Sequence, residues 1–428
     1  MYATSISELP IAPDAEDPSS DFFLSYPYLL VWTDQVDLWR LSEGKPTHVC
    51  LLEEHIDKPR SHSPIFDAKN NILVIAEPYH VPTRLRVYAL HSGDHLRDIQ
   101  LYADLAGFDF EYRPSDGHVL VLLSEDNSPA YPRGRTAIVD VDLLDGVVLH
   151  ERTLYLPPEL SERETSCGDP QLVLTPVFFG AGDDVVATST TKWLGKLDLL
   201  SWGTNNRDGD DAEPTQTIEF VSGLSRCDSM VALRHLAVDE HSFVLCTHEC
   251  RYYEGVGYTS VRRIAVPGLS ILWEAAPIPG DLHAAETLAY LPALGLLLET
   301  VVAVLDAETG EQRAVDSIES DIQQDWVIDV HVSADEDPVL CVFWRRGEVL
   351  LVRLQEFIES GFPRESVANG KRVQAQAVFP ADVISVGVGR REAVAIAGVR
   401  KYSVDSRRGS DEWPDWDEED GTVVLARW

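Results

Sequence analysis

Three residues with metal-binding side chains recur at every second position, as Cys246, His248 and Cys250. Because side chains alternate across a β-strand, this spacing would place all three on one face. Thiolates and imidazoles are the ligands that zinc prefers, but same-face neighbours on a strand lie roughly 7 Å apart, and no Cys-x-x-Cys pair supplies the remaining ligands. The pattern therefore favours two buried thiols and a histidine near a strand end over a zinc site.

The densest run of carboxylates is Asp208, Asp210, Asp211 and Glu213. It lacks the spacing of a calcium-binding loop, which favours a solvated insertion. The chain also lacks a P-loop, a Gly-x-Ser-x-Gly elbow and a His-Glu-x-x-His helix. We therefore predict no catalytic residue, no metal and no cofactor, and we keep a metal-dependent hydrolase or lactonase-like enzyme as the alternative.

Arginine and large aromatic residues concentrate in four short segments, at residues 77–84, 125–135, 249–258 and 344–347. These residue types anchor protein interfaces because they bury much area and form directed hydrogen bonds. The alternative is that the arginines balance nearby Glu77, Glu125, Asp126 and Glu254. We predict a partner-binding surface that could take an acidic or phosphorylated segment, formed by Tyr79, Arg84, Tyr131, Arg133, Arg135, Arg251, Tyr252, Tyr253, Trp344, Arg345 and Arg346.

An acidic stretch at residues 410–420 contains Trp413 and Trp416. Like charges repel and Pro414 blocks regular pairing, so we expect an exposed loop there. Large aromatic side chains in such a loop either dock into a basic, apolar groove on a partner or fold back onto the chain. Both alternatives stay open, and both tryptophans join the predicted partner-binding residues.

The elements that must position these segments are short β-strands. Apolar runs rich in valine, isoleucine and aromatic residues alternate with polar turns, and no long stretch has the period of an amphipathic helix. Two apolar runs around a polar turn recur with a period of roughly 40 to 67 residues. The turns are at residues 67–71, 114–117, 180–184, 239–242, 293–295, 335–338 and 389–392.

A third strand follows each hairpin, and five of these strands align on a later glycine, at Gly44, Gly93, Gly146, Gly310 and Gly409. A large apolar or aromatic residue lies five positions before each glycine, and an aspartate lies four positions before the last three. This pattern resembles the end of the third strand in the WD-repeat family, whose repeats have Trp-Asp and then a turn glycine. The resemblance implies a β-propeller of divergent repeats, although no repeat here has both Trp and Asp.

We therefore expect an all-β chain that forms a single β-propeller of four-stranded antiparallel blades, with eight blades favoured and seven as the alternative. Third strands are predicted near residues 36–41, 85–90, 136–143, 196–201, 260–266, 301–306 and 349–354, and at either 401–406 or 422–428. We expect residues 1–20 to be a flexible acidic leader and residues 21–428 to form the propeller, with an acidic insertion at about 407–420.

The net charge of the chain argues against some classes of function. The formal net charge is −36, from 71 acidic and 35 basic residues, and such a field repels nucleic acids and anionic membranes. Six scattered cysteines fit reduced thiols, which favours the cytoplasm or the nucleus. We predict a non-catalytic scaffold or adaptor for protein–protein interaction. Besides the enzyme, a substrate-binding subunit of a ubiquitin ligase and a sugar-binding propeller are the alternatives.

Overall fold

The structure is a computed structural model. It describes residues 5–8, 21–25, 27–32, 36–42, 45–53, 64–77, 84–101, 105–113, 116–125, 135–154, 173–179, 185–190, 196–202, 211–212, 214–221, 229–251, 256–266, 268–280, 287–290, 294–297, 301–317, 327–332, 338–344, 347–367, 370–374, 376–379, 382–388, 392–398, 400–402, 416–418 and 422–427.

The described residues form eight sheets of four or five strands, numbered here in chain order. The chain begins with β1 (Ser5–Glu8). Sheet 1 contains β2 (Asp21–Ser25), β3 (Tyr28–Trp32), β4 (Val36–Ser42) and β5 (Lys45–Glu53). Sheet 2 contains β6 (Ile65–Asp67), β7 (Ile72–Glu77), β8 (Arg84–Ala89) and β9 (His95–Gln100). Sheet 3 contains β10 (Leu105–Arg113), β11 (His118–Glu125), β12 (Arg135–Asp142) and β13 (Val147–Leu154).

Sheet 4 is formed by β14 (Val173–Phe179), β15 (Val185–Thr190), β16 (Lys196–Trp202) and β18 (Gln216–Val221). The short β17 (Asp211–Ala212) pairs instead with β13 of sheet 3, in parallel. Sheet 5 contains β19 (Ser229–Asp239), β20 (Ser242–Arg251), β21 (Val256–Ala265) and β22 (Ser270–Glu274), and β23 (Ile278–Gly280) also pairs with β21. Sheet 6 contains β24 (Thr287–Tyr290), β25 (Leu294–Leu297), β26 (Val301–Leu305) and β27 (Gln312–Ser317).

Sheet 7 contains β28 (Val327–Val332), β29 (Val339–Trp344), β30 (Glu348–Arg353) and β33 (Gln376–Ala377). A helix, α1 (Leu354–Ser360), and a hairpin of β31 (Arg364–Val367) with β32 (Gly370–Val373) lie between β30 and β33. Sheet 8 contains β34 (Asp382–Val388), β35 (Glu392–Gly398) and β38 (Thr422–Arg427), with β36 (Arg400–Tyr402) and β37 (Trp416–Glu418) between the last two. No helix among these described residues is long and apolar enough to span a membrane.

The outermost strand of sheet 8 comes from the start of the chain. Strand β1 pairs with β38 antiparallel, with Ser5 opposite Arg427 and Glu8 opposite Val424. Four residues of the predicted leader are therefore a strand, and residues 9–20 lie outside the described residues. The last sheet is thus completed by a segment from the other end of the sequence, which removes one free sheet edge.

The chain divides into two compact units, one of Met1–Ile56, Glu299–Val302 and Ala314–Trp428 and the other of Asp57–Leu298 and Ala303–Arg313. Within the second unit the first strands of sheets 3, 4, 5 and 6 contact each other in succession. Within the first unit β34 contacts both β28 and β2, the first strands of sheets 7 and 1. In these seven sheets the first strand therefore lies next to the first strand of another sheet of the same unit.

Burial changes from strand to strand across the sheets. The second strands β3, β7 and β29 are buried along their whole length, and their sequences are apolar apart from Glu77 at the end of β7. The fourth strands β9, β18 and β22 are mostly exposed. Sheets 2 and 3 pack face to face through one apolar cluster, and sheets 4 and 5 through another in which Phe178 stacks on Phe243. Stacked sheets explain why the central strands are apolar on both faces.

Each sheet has two different ends. The turn between the first and second strands lies at one end, called the turn end. The connection between the third and fourth strands lies there too in sheets 1 to 7, and in sheet 7 it contains α1 and the hairpin of β31 with β32. In sheet 8 the fourth strand is β1, which does not follow the third strand in sequence. The connection between the second and third strands lies at the other end, called the loop end. A backbone hydrogen bond joins the two turns in five sheets, donated by a buried residue at the end of the third strand to a carbonyl of the first turn: Leu41 to Pro27, Leu90 to Asn71, Leu143 to Gly117, Val266 to His241 and Leu354 to Pro338, at 2.6 to 3.2 Å.

The predicted strand pattern is confirmed over the described residues. Strands flank all seven predicted hairpin turns, and seven predicted third strands coincide with β4, β8, β12, β16, β21, β26 and β30. The eighth third strand is β38, which decides for residues 422–428 over 401–406. Gly409, which suggested the other alignment, lies outside the described residues. The prediction of a single domain at residues 21–428 stays a prediction.

Candidate functional site: the two ends of the sheets

The predicted partner-binding residues belong to the loop ends. Arg84 and Trp344 are described with their side chains. Three more are placed in strands, namely Arg135, Arg251 and Trp416. The other eight lie outside the described residues: Tyr79, Tyr131, Arg133, Tyr252, Tyr253, Arg345, Arg346 and Trp413.

Arg84 begins β8 and forms an ion pair with Glu77 at the end of β7. The Glu77 side chain is 1% exposed, and its other carboxylate oxygen lies 3.0 Å from Nε of Arg86. A second carboxylate, Asp98 of β9, lies 3.7 Å from Arg84. A buried carboxylate requires such partners because desolvation of an unpaired charge is costly. The contacts favour the balancing role for Arg84.

Trp344 is the last residue of β29 and is only 5% exposed. It lies opposite Val327 of β28, at the inner side of sheet 7. A side chain buried to this degree packs within its sheet and offers little surface to a partner. Its position places the neighbouring Arg345 and Arg346 directly in the connection from β29 to β30.

Residues 416–418 of the acidic tryptophan segment belong to a hairpin at the loop end of sheet 8, and the rest of that segment lies outside the described residues. Strands β36 and β37 pair antiparallel, with Arg400 opposite Glu418, Lys401 opposite Asp417 and Tyr402 opposite Trp416. The basic arm of the hairpin thus faces the acidic arm in register, and directly opposed residues of opposite charge stabilise an antiparallel pair. At the level of the backbone, Trp416 folds back onto a neighbouring strand of its own chain.

The predicted metal-like triad lies on β20. Cys246 and His248 are both buried, and Nδ1 of His248 lies 3.3 Å from the Thr259 hydroxyl. Burial raises the pKa of the Cys246 thiol to about 12 and lowers the pKa of His248, so both side chains are held neutral. The part of the chain that the structure describes contains no group of three or more histidine, cysteine, aspartate or glutamate side chains placed to hold a metal ion.

The turn ends are organised by aspartates that accept hydrogen bonds from their own turns. Asp67 accepts from the Asn70 backbone and from the hydroxyl of Tyr112, and Asp239 accepts from the His241 backbone, from Ser242 and from Arg263. Burial opposes ionisation of Asp67 and Asp239, but the hydrogen bonds outweigh it and hold the pKa of each below its usual value. Asp116, at the turn end of sheet 3, has a lowered pKa for the same reason, with Arg113 as its main partner.

The turns between third and fourth strands explain the glycine alignment. Asp142 accepts the backbone N–H groups of Leu144 and Asp145, while Gly146 donates back to the Asp142 carbonyl. In sheet 6, Asp306 and Gly310 repeat this arrangement. Both glycines have a positive φ, of 72° and 71°, which is the backbone region that favours glycine. At Asp306 the hydrogen bonds from Arg313 and the turn lower the pKa to about 2.

A side chain from the preceding sheet covers each of these two turns. Arg97 of β9 lies against Gly146 and donates to the Leu144 carbonyl at 2.5 Å. Trp273 of β22 lies against Gly310, and its indole N–H donates to the Ala307 carbonyl at 3.0 Å. Neither contact follows from the repeat pattern of the sequence, because each joins two different repeats. The available signal was a long side chain with an N–H donor on the fourth strand, one repeat before each Asp-to-Gly turn.

One further ionisable pair joins two first strands. Nε2 of His235 on β19 lies 2.9 Å from a carboxylate oxygen of Glu111 on β10. Both side chains are about three-quarters buried. They connect sheets 3 and 5, whose first strands both contact β14 of the intervening sheet 4.

Comparisons with known proteins give a likeness of fold. No protein-family model matches the chain, and no curated protein matches it. Among solved structures, the Dos1 propeller is similar over 94% of this chain and 89% of that chain, with a TM-score of 0.50 and 9% sequence identity. The likeness supports a β-propeller fold. It does not show that the chain belongs to the WD-repeat family.

Two further solved structures are similar to this chain, with lower TM-scores than the Dos1 propeller. A chain from a study of two prolyl endopeptidases matches 99% of this chain and 54% of its own length, with 12% identity and a TM-score of 0.46. Kuenenia stuttgartiensis hydrazine synthase matches 68% of this chain and 75% of its own, with 9% identity and a TM-score of 0.38. Neither supports a conclusion about activity.

Proposed function

We propose that this chain is a non-catalytic scaffold or adaptor, an eight-bladed β-propeller that captures a partner protein with the connections at its loop ends. The observation that carries the proposal is the difference between the two ends of the sheets. At the turn ends, carboxylates and carbonyls are bonded to the same turns or to the neighbouring sheet. The connections at the loop ends differ in length and sequence from one sheet to the next, as binding loops on a rigid scaffold do.

Eight blades are supported by the eight successive sheets of four or five strands, with β1 as the outer strand of the last. Seven blades remain the alternative. In WD-repeat propellers, which the sequence resembles, a strand from the start of the chain likewise completes the last blade. The pairing of β1 with β38 therefore supports the same architecture here.

The chemistry of the loop ends supports an acidic or phosphorylated partner segment. Arg133 belongs to the connection from β11 to β12 and Arg135 begins β12, while Arg345 and Arg346 belong to the connection from β29 to β30. Guanidinium groups form bidentate, charge-assisted hydrogen bonds with carboxylates and phosphates. In a chain of net charge −36, arginine pairs at the binding loops would give local attraction for an anionic segment. We place the protein in the cytoplasm or nucleus, where reduced cysteines are expected.

The test is affinity capture from native extract, followed by binding measurements with the captured partner. Replacement of Arg133, Arg135, Arg345 and Arg346 by alanine should weaken binding by about 2 kcal/mol or more, roughly thirtyfold. Two double variants, one lacking Arg133 and Arg135 and the other lacking Arg345 and Arg346, show whether one arginine pair is sufficient for partner binding. A matched control replaces Lys69 and Arg353, two exposed basic residues at turn ends, and should bind like the parent.

Equal binding by the quadruple variant and the parent, with unchanged unfolding, would remove the arginine pairs from the site. The hairpin of β36 and β37 would then become the leading candidate. The enzyme alternative is separated by elemental analysis of the purified full chain. Stoichiometric zinc or calcium would favour a metal-dependent hydrolase over the scaffold.

A further inference from the structure

Strand β20 carries a buried histidine near the loop end of sheet 5. His248 is 4% exposed, and its Nδ1 atom lies 3.3 Å from the Thr259 hydroxyl oxygen. The other ring nitrogen, Nε2, is buried and has no hydrogen-bond partner among the described residues. Such an atom is uncommon in folded proteins, because it loses its hydrogen bonds to water and gains none in return. The position of His248 therefore costs stability, which points to a role beyond packing.

The strands on either side of His248 place uncharged residues directly opposite it. Val231 of β19 and Thr259 of β21 are its register partners, and Thr259 pairs in turn with Ile278 of β23. Directly opposed residues of an antiparallel pair share one face of the sheet. The positions of sheet 5 in register with His248 therefore offer no opposite charge.

Two charged residues lie beside this position. Glu249 is next in the chain, and the alternation of side chains puts it on the opposite face of β20. Arg234 of β19 lies opposite Cys246, two residues before His248. Burial lowers the pKa of His248, and the charge of Glu249 opposes this shift only in part. The fold therefore favours the neutral imidazole.

The face of sheet 5 that includes His248 is turned toward sheet 6. Arg263 lies opposite Val244, four residues before His248 on β20 and so on the same face. Its guanidinium donates to the Ala307 carbonyl of sheet 6. The inner strands of sheet 6, β24 and β25, contain Tyr290 as their one ionisable residue. A proton on His248 would therefore meet no carboxylate from these two strands.

Protonation changes what this place in the sheet must accommodate. An imidazolium has an N–H group on each ring nitrogen, and among the described contacts only the one on Nδ1 has an acceptor, the Thr259 hydroxyl. A buried cation with an unpaired N–H costs far more than a neutral ring, and movement of the side chain into water removes that cost. His248 lies three residues before the end of β20, so the four β20–β21 pairs from His248–Thr259 to Arg251–Val256 are those that must open.

We infer that His248 is an acid-sensitive switch, whose protonation opens the loop end of the β20–β21 hairpin while the rest of sheet 5 stays paired. Arg251 is the last residue of β20 and one of the predicted partner-binding residues. Opening therefore lowers the affinity of the loop-end site for its partner. This consequence rests on the proposed function, whereas the opening itself is a property of the free chain.

The direction of the pH dependence follows from the lowered pKa of His248. Above about pH 6.5, the usual value for histidine, the ring is neutral in both the closed and the open hairpin, and opening does not depend on pH. Below that value the open form binds a proton that the closed form does not. Each pH unit then favours opening by up to about tenfold, until the pH reaches the folded pKa.

Hydrogen exchange of the free full chain tests the switch at about pH 7.5 and about pH 5.5, on either side of the histidine value. The rates are corrected for the intrinsic pH dependence of amide exchange. Protection of residues 248–251 and 256–259 should fall by about tenfold between the two conditions. Strands β29 and β30, the corresponding pair in sheet 7, contain no histidine and should keep their protection.

Variants assign the pH response to His248. His248→Gln and His248→Leu carry side chains that cannot be protonated, so corrected exchange at the hairpin end should be the same at both pH values. Two replacements keep the test decisive if one of them folds poorly. The matched control is His235→Gln, which removes the histidine of β19 that pairs with Glu111. This control should keep the pH response of the parent.

Three outcomes would overturn the switch: unchanged protection of the hairpin end in the parent, the parent's pH response in both His248 variants, or an equal loss of protection in β29 and β30. The quadruple arginine variant of the loop-end site, measured without partner, should respond to pH like the parent. That arm separates the switch from the proposed function. With the captured partner, the parent should lose affinity on acidification in proportion to the closed fraction that exchange gives, and the His248 variants should not.

Discussion

The turn ends and the loop ends of the sheets differ in which parts of the molecule their hydrogen bonds and ion pairs connect. At the turn end of sheet 5, polar groups are hydrogen-bonded within the molecule. Asp239 accepts a hydrogen bond from the backbone of its own turn. Arg263 donates to Asp239, to Ser242 and to the Ala307 carbonyl of the next sheet. At a loop end, the described ion pair of Arg84 with Glu77 joins two neighbouring strands of a single sheet. The turn-end contacts of Arg263 therefore join one sheet to the next, whereas this loop-end pair stabilises one sheet only.

The largest effect on stability is expected at the turn end of sheet 5. Arg263→Ala should cost about 3 kcal/mol of unfolding free energy, because it removes three hydrogen bonds of a nearly buried guanidinium, to Ser242, to Asp239 and to the Ala307 carbonyl. At the loop end, Arg84→Ala should cost about 1 kcal/mol, since Arg86 still pairs with Glu77. Urea unfolding of both variants measures the difference. Equal losses of unfolding free energy in the two variants would contradict a larger contribution of the turn-end contacts to stability.

A second comparison sharpens the role of the turn glycines. A Cβ at Gly310 would lie 2.5 Å from the Trp273 ring, whereas at Gly146 it would lie 2.6 Å from the flexible Arg97 side chain. Both residues have the same left-handed φ, so the backbone strain of alanine is shared, at about 1 kcal/mol. Gly310→Ala should therefore cost about 2 kcal/mol or more, and Gly146→Ala only about 1 kcal/mol. A larger cost at Gly146 would contradict the packing described here.

The smallest effect expected is the pH dependence of the turn-end aspartates. Their pKa values are lowered in the folded chain, so their stabilising contribution is complete above the unfolded value of about 4 and is lost as pH falls through the folded value. The unfolding free energy of the parent should fall between about pH 5 and about pH 2. Asp239→Asn should be less stable than the parent at pH 5 and should lose less on acidification.

The control for the pH experiment is Glu240→Gln, which changes an exposed neighbour in the same turn. Its loss of stability on acidification should match that of the parent. A parent-like acid response of Asp239→Asn would show that this carboxylate does not contribute to the turn end in the way its hydrogen bonds indicate.

Much of the fold could be predicted from the sequence because its determinants are local. The Asp-to-Gly spacing at Asp142 and Gly146 corresponds to a turn in which the aspartate accepts two backbone N–H groups and the glycine takes a positive φ. Apolar runs on either side of polar turns located the hairpins for the same reason. The last third strand was ambiguous because Val404, Asp405 and Gly409 imitate this local pattern within a long insertion.

The candidate sites were harder to predict, since they depend on contacts between repeats. Tryptophan is a residue type that is common in interfaces, so the sequence suggested a binding role for Trp344. Its position at the inner side of sheet 7 buries the side chain instead. Arg97 is an ordinary exposed residue in sequence, and only the packing of sheet 2 on sheet 3 shows it spanning the turn at Gly146. The bulges at Leu96 and Leu149 also escape a period-two pattern, because a bulge breaks that period.

Hydrogen exchange of the full chain with and without its captured partner tests the difference between the two ends most directly. Slower exchange is expected in the second-to-third connections, above all at residues 126–134 and 345–346, with no change at the turns at residues 67–71, 114–117 and 239–242. Slower exchange at those turns, with none in the connections, would contradict the assignment of binding to the loop ends.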